Sequence, residues 1–147
     1  MMIIKNRLLS QGLTVHSVIN IGRCHAATIA SEDHQLIIVN IHVDHLWSAS
    51  VRDKTFAAIA DLRQGLANPL VILIGDLNAS AQGDASFNLE AGIENYAASA
   101  TNRCLDKWLP NMTDASQGSF THATRKSCVY SAIDRAFISL NTLDVLD

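Results

Sequence analysis

Val71-Ile72-Leu73-Ile74 runs directly into Gly75-Asp76-Leu77-Asn78, and this junction restricts the fold of the chain more than any other stretch. A branched apolar run bounded by Pro69 and Gly75 predicts a strand over Leu70 to Gly75, buried on both faces. Such a strand delivers whatever follows it to the rim of a sheet with little positional freedom. Here it delivers a carboxylate and, two residues later, an amide. Residues two apart in an extended segment point the same way, so Asp76 and Asn78 can face one cavity. The same residues also suit an Asx turn, because Asp and Asn side chains bond their own backbone. The rest of the chain decides between these readings.

The 147 residues are 48% hydrophobic and 17% charged, which describes one globular domain with a real core rather than a disordered chain. The net charge of -3 provides no basic field for metal-free nucleic-acid binding, yet it is compatible with an enzyme that meets phosphates through a divalent cation. The three cysteines, Cys24, Cys104 and Cys128, are odd in number and form no CxxC pair. A disulfide framework or zinc site is therefore not expected, and a reducing, intracellular compartment (cytoplasm or nucleus) is. Met1 to Arg7 lacks the sustained apolar core of a signal peptide. No apolar run approaches the ~20 residues that span a bilayer, so no membrane partner is expected.

Periodicity organises the remainder. Thr14 to Ile21 alternates as a half-buried strand, with Val15, Ser17, Ile19 and Ile21 on one face. Cys24 to Ser31 and Gln35 to His42 follow as further strands, with Glu32-Asp33-His34 as a tight turn, which predicts an antiparallel meander. Asp44 to Ser50 is a polar connection. Ser50 to Leu66 is then helical: Phe56, Ile59, Leu62 and Leu66 step by three or four residues, and Ser48 or Ser50 can cap it. Strand, helix and intensely apolar strand make a βαβ-like unit. Further on, Phe87 to Ala98 and Arg103 to Leu109 read as helices, Gly118 to Thr124 as an extended segment, and Ser131 to Ser139 as one last strand.

Three motifs now stand in strands or at their ends: Asn40-Ile41-His42, Gly75-Asp76-Leu77-Asn78, and Ser131-Ala132-Ile133-Asp134-Arg135. In this order, with a helix between the first two and Ser119-Phe120-Thr121 ahead of the last, the set resembles the endonuclease/exonuclease/phosphatase superfamily. That group includes AP endonucleases, deoxyribonucleases, LINE-type retrotransposon endonucleases and inositol polyphosphate 5-phosphatases. The resemblance implies an α/β fold, a partial four-layered α/β sandwich of two packed, mostly antiparallel sheets flanked by helices. It covers 1–147 as a partial domain, lacking the family's N-terminal metal-binding Glu segment and its C-terminal Ser-Asp-His segment.

The resemblance also implies roles. Asp76 would orient or deprotonate the attacking water and contribute to a metal site. Asn78 would bond a phosphate oxygen or the Asp76 side chain, His42 would stabilise charge on the phosphate, and Asp134 would orient a histidine. Mg²⁺, or Mn²⁺, is the implied cofactor, since hard oxygen ligands suit it and it keeps several waters. DNA is the implied substrate, because Ile133-Asp134-Arg135 followed by Phe137-Ile138-Ser139 reads like retrotransposon-type endonucleases. Two other readings stand beside it: an inactive fragment or binding module of the same fold, and a lipid or inositol phosphate phosphatase. A partial sandwich would also expose sheet edges and so favour self-association.

The bland alternatives are specific. His42 alone fits a hydrogen-bonded sheet histidine, Asp134 with Arg135 fits a solvated pair at a strand end, and Trp47 and Trp108 fit packing anchors. Cys128 fits a small buried hydrophobe.

Overall fold

In the computed structural model, which describes residues 14–31, 35–79, 85–88, 92–95, 99–115, 122–124, 129–131 and 134–139, the alternating segments form two sheets. The elements in order are β1 (Thr14–Ile21), β2 (Cys24–Ala30), β3 (Gln35–Ile41), α1 (Ala49–Asp61), β4 (Leu70–Asp76), β5 (Ala85–Asn88), β6 (Gly92–Asn95), α2 (Ala100–Trp108), β7 (Met112–Asp114), β8 (His122–Thr124), β9 (Val129–Ser131) and β10 (Asp134–Ser139). The larger sheet has the order β1-β2-β3-β4-β10-β7 and the smaller one β6-β5-β9-β8. The β1-β2-β3 meander is antiparallel as expected, and β3 and β4 pair in parallel with α1 as their crossover. All other pairings are antiparallel.

The core lies between the larger sheet and the two helices. Ile37, Val39, Ile41, Val71 and Leu73 are fully buried from the sheet, Phe56 and Ile59 from α1, and Leu105 and Leu109 from α2 and its end. Removing each such side chain from water contributes roughly 1.5–3 kcal/mol. Trp47 and Trp108 pack against this cluster, as anchors should. The opposite sheet face is different. Leu70 and Ile72 are half-buried and Ile74 is 41% exposed, so β4 is buried on one face only, not two. An unbroken apolar run conceals this, because periodicity disappears when both faces are hydrophobic.

β1 is also less buried than its alternation predicts. A register shift between Val15 and Ser17 breaks the pattern, Ile19 is half-buried, and Val15, Val18 and Ile21 are exposed. Its position at the sheet edge is the cause.

Ser48 caps α1 by accepting from the Val51 amide at 3.3 Å. The helix ends at Asp61 rather than Leu66. The Leu62 and Arg63 amides bond back three residues, to Ile59 and Ala60, and the chain then turns at Gly65 with φ +78°. Leu62 and Leu66 still reach the core from these turns. Ser99 caps α2 in the same way, through the Asn102 amide. The two helices are clasped by Asp53, whose Oδ1 accepts from Lys107 Nζ at 2.8 Å and Trp108 Nε1 at 2.7 Å. No helix among the described residues is long and apolar enough to cross a membrane.

The clasp predicts a pH dependence. Lys107, then Trp108, hold the Asp53 carboxyl below the usual carboxylate range. The stabilisation is therefore present above the unfolded value of about 3.9 and is lost as pH falls through the folded one. Melts of the wild type and Asp53→Asn should differ near neutrality and converge below about pH 4. The gap will be modest, since the pair is partly exposed. A gap that persists undiminished at pH 2 would show that the charge is not its source.

Two sequence expectations fail in the second half. The residues expected as a helix from Phe87 to Ala98 instead hold the antiparallel pair β5 and β6, with Phe87 opposite Ile93. Gly92, the poorest helix former short of proline, opens β6, and pairing between segments overrides local propensity. The single strand expected over Ser131 to Ser139 is two strands in two sheets. β9 ends at Ser131 in the smaller sheet, and β10 begins at Asp134 in the larger. Of the extended segment expected at Gly118 to Thr124, 122–124 form β8, and the rest lies outside the described residues, as do Glu32-Asp33-His34 and Cys128.

Candidate active site

Strand direction gathers the motifs at one end of the larger sheet. β3 and β4 are parallel, so Asn40-Ile41-His42 and Gly75-Asp76 finish together. β10 is antiparallel to β4 and begins there, placing Asp134 directly opposite Asp76 in register. β2 is antiparallel to β3 and also begins there, so the Gly22-Arg23 turn arrives at the same end. His42 alternates with buried Ile41 and Val43, and Asp76 precedes buried Leu77. By the same alternation Asn40, His42, Ile74, Asp76 and Asp134 belong to the sheet face opposite the helices.

Gly75 makes the junction possible. Its φ is +139°, and a Cβ there would lie 1.9 Å from the Ile41 carbonyl oxygen. With no side chain the end of β4 closes on β3, and the Val43 amide donates to the Asp76 carbonyl at 2.7 Å. Asp76 Oδ1 accepts from the Asn78 amide at 3.0 Å, and Asn78, at φ +42°, donates from Nδ2 to the Val43 carbonyl at 2.7 Å. The Asx-turn reading is therefore correct as local structure, and it is what immobilises the carboxylate. Asn tolerates this left-handed conformation better than most residues. Asp76 keeps Oδ2, 3.9 Å from His42 Nε2, and its side chain is 28% exposed.

The second half of the site is a network that sequence reading missed. Arg23 Nη1 lies 3.2 Å from His42 Nε2 and 3.5 Å from Asp44 Oδ2. Asp44 Oδ1 accepts from the Leu46 amide at 2.9 Å and lies 3.4 Å from His45 Nδ1. The Leu46 amide, with Arg23 and His45 behind it, holds the Asp44 carboxyl below the usual range, against the partial burial that pushes it up. The missed residues carried a usable signal. In a meander, the first turn and the end of the third strand fall at one end, so Arg23 and His42 were bound to meet once the pairing was antiparallel.

Arg135 forms an ion pair with Asp114. It alternates with Asp134 across the strand, and its Nη1 donates to Asp114 Oδ2, tying β10 to β7. Asp134 is exposed on the side facing the site. Thiol chemistry has no support near this end of the sheet. Cys24 is fully buried and burial pushes its thiol up to about 11, which keeps it protonated and inert.

Among the described residues no three His, Cys, Asp or Glu side chains converge as a metal cage. What is present is a fixed, partly exposed carboxylate, Asp76, with a second, Asp134, across the strand pair. This donor set fits a hard cation that keeps most of its waters, and does not fit one that demands a full protein shell.

No family model matches the chain, and no curated protein matches it in sequence. Solved structures do match its fold. The endonuclease domain of TRAS1, a telomere-specific non-LTR retrotransposon, aligns with 92% of this chain and 71% of its own length at a TM-score of 0.58 and 12% identity. The inositol polyphosphate 5-phosphatase domain of SPSynaptojanin, in complex with inositol (1,4)-bisphosphate and calcium, aligns with 90% of this chain at 0.52 and 15% identity. D. rerio TDP2, complexed with a single-strand DNA product, aligns with 88% at 0.50 and 12% identity. The chain spans about half the length of the last two, 49% and 54%.

Proposed function

We propose that this chain, which has the fold of the endonuclease/exonuclease/phosphatase superfamily, is a metal-dependent hydrolase of phosphodiesters, with nucleic acid as substrate. The observation that carries the reading is the meeting of His42, Asp76, Asn78 and Asp134 at one sheet end, drawn from three separate segments. Solved structures of this fold include an endonuclease domain, a protein complexed with a single-strand DNA product, and an inositol polyphosphate phosphatase. Nucleic acid is preferred because Ile133-Asp134-Arg135 followed by Phe137-Ile138-Ser139 resembles retrotransposon-type endonucleases.

Hydrolysis of a phosphodiester needs an oriented water, charge neutralisation and donors aimed at the oxygens of the crowded phosphorus. Asp76 suits the orienting of water, because Oδ1 is held by the Asn78 amide and Oδ2 remains to accept a proton. His42 is nearly half exposed, and with Nε2 accepting from Arg23 its Nδ1–H is the donor left for a phosphate oxygen. Asn78 positions the junction through Val43 and keeps its Oδ1 for a further contact. Asp134 adds a second carboxylate opposite Asp76. A Mg²⁺ or Mn²⁺ ion held by Asp76, with Asp134 beside it, would supply charge neutralisation at the phosphate when bound.

The test is nicking of supercoiled plasmid DNA by the full chain with Mg²⁺, with Mn²⁺ and with a chelator. Nicking that requires either ion is the expected result, and equal nicking in chelator would refute the metal dependence. Release of phosphate from an inositol polyphosphate without nicking would move the assignment to the phosphatase reading. Inactivity on both would leave a binding module of the same fold.

A further inference from the structure

We infer that Arg23 receives the non-bridging oxygens of the substrate phosphate beside His42, and that Asp44 holds its guanidinium in place to do so. The inference rests on the reading of this sheet end as a phosphate-ester site. It adds a residue from a strand turn that belongs to none of the three sequence motifs.

The placement of Arg23 is built from the backbone outward. Its carbonyl accepts from the His42 amide at 2.9 Å, so the turn is tied to the very residue its side chain approaches. The side chain then leans across the sheet end and sets Nη1 between His42 Nε2 at 3.2 Å and Asp44 Oδ2 at 3.5 Å. Asp44 is a firm post for it. Its other oxygen is fixed by the Leu46 amide, and its side chain is 22% exposed.

Stability does not account for the arrangement. The Arg23 side chain is 56% exposed, and an ion pair of that exposure contributes little to folding. A guanidinium has five N–H donors in a planar fork, and contacts at Nη1 alone leave the other edge of the fork for a ligand. Phosphate is the ligand that this edge matches, since two parallel N–H groups meet two oxygens of one phosphorus.

Charge points the same way. Asp44, Asp76 and Asp134 all stand at this end of the sheet, and three carboxylates repel an approaching phosphate. A cation in contact with His42 offsets this where the ester must lie. A phosphate that engages the fork is thereby seated against His42 and in reach of the Asp76 carboxylate, 3.9 Å further on. The recognised chemistry is the phosphate group itself, shared by nucleic-acid diesters and sugar phosphates.

The experiment is an amide NMR titration of the full chain with three probes: inorganic phosphate, a thymidine dinucleotide carrying one diester, and inositol monophosphate. The proteins are the wild type, Arg23→Ala, Arg23→Lys and Asp44→Asn. The wild type should show saturable shifts at His42, Asp76 and Asn78. Arg23→Ala should bind about tenfold more weakly, the scale of one charge-assisted hydrogen bond. Arg23→Lys should recover part of that loss, and Asp44→Asn should fall between the wild type and Arg23→Ala. The exposed position of the side chain predicts folded spectra for all four. Whichever of the dinucleotide and inositol phosphate binds more tightly identifies the source of the phosphate.

Unchanged affinity in a folded Arg23→Ala would overturn the role of Arg23 and leave the hydrolase reading standing. Absence of saturable shifts in the wild type would also overturn it. Binding that depends on Arg23, without hydrolysis of any ester, would instead remove the hydrolase reading and keep Arg23 as an anion clamp.

Discussion

Asp76→Asn is expected to lower phosphodiester hydrolysis by about three orders of magnitude or more, because groups that act on one reacting centre fail together. Stability should change by less than about 1 kcal/mol. The substitution is chosen for what it keeps. The side-chain oxygen that accepts from the Asn78 amide survives in Asn, so the turn holding Asn78 to Val43 should persist. What disappears is the negative charge and the proton-accepting Oδ2 that lies toward His42. Time courses of plasmid nicking, set beside thermal melts of the same preparations, separate the two effects. Hydrolysis retained within tenfold of wild type would remove Asp76 from the chemistry and leave it as a turn residue only.

Gly75→Ala should be the most damaging single-methyl change in the described part of the chain. A Cβ would sit 1.9 Å from the Ile41 carbonyl oxygen and within 3.1 Å of the Ile41 nitrogen, and both are backbone atoms that no side-chain rotation can move aside. The backbone adds its own penalty, since φ +139° is a region essentially reserved for glycine. Relief requires β3 and β4 to part where Val43 bonds Asp76, which would release the core side chains on either side. A loss above about 4 kcal/mol, or failure to fold, is expected. Gly22→Ala is the internal control. It also has positive φ, +57°, but nothing lies within 4 Å of its Cβ, so the cost should be about 1–2 kcal/mol. Urea denaturation of the two variants decides the matter. If Gly75→Ala unfolds within about 1 kcal/mol of Gly22→Ala, the close approach of β3 and β4 is not as described.

Local pattern alone reached much of the fold. β3 and β4 fall where runs of branched residues predicted them, and β2 where a strand was expected, within a residue or two at each end. α1 and α2 overlap the segments expected to be helical, although α1 ends at Asp61 rather than Leu66 and α2 begins at Ala100 rather than Arg103, and each opens on a serine cap. These are the elements whose own residues repeat at the period of the structure, long enough for the repeat to be seen. β5, β6 and β9 are three or four residues long. At that length periodicity is empty, and a neighbouring strand decides whether the segment is extended.

The site divides in the same way. His42, Asp76, Asn78 and Asp134 could be named from sequence because their motifs stand in or at the ends of expected strands and, taken together, resemble those of a known superfamily. Arg23 and Asp44 lie in a turn and a loop, and their meeting with His42 exists only through pairing across strands. Arg135 shows the reverse case. Adjacent to Asp134 in sequence, it faces the other side of the strand and bonds Asp114, twenty-one residues earlier.

By itself, then, the sequence determined the longer strands of the first half and the presence of the two helices, because propensity and alternation act over a few residues. Tertiary structure alone decided that β4 is buried on one face, that β9 and β10 part into separate sheets, and that Gly75 must lack a side chain. Each of those depends on which distant backbone lies alongside, and hydrogen-bond register between strands is written in no single segment.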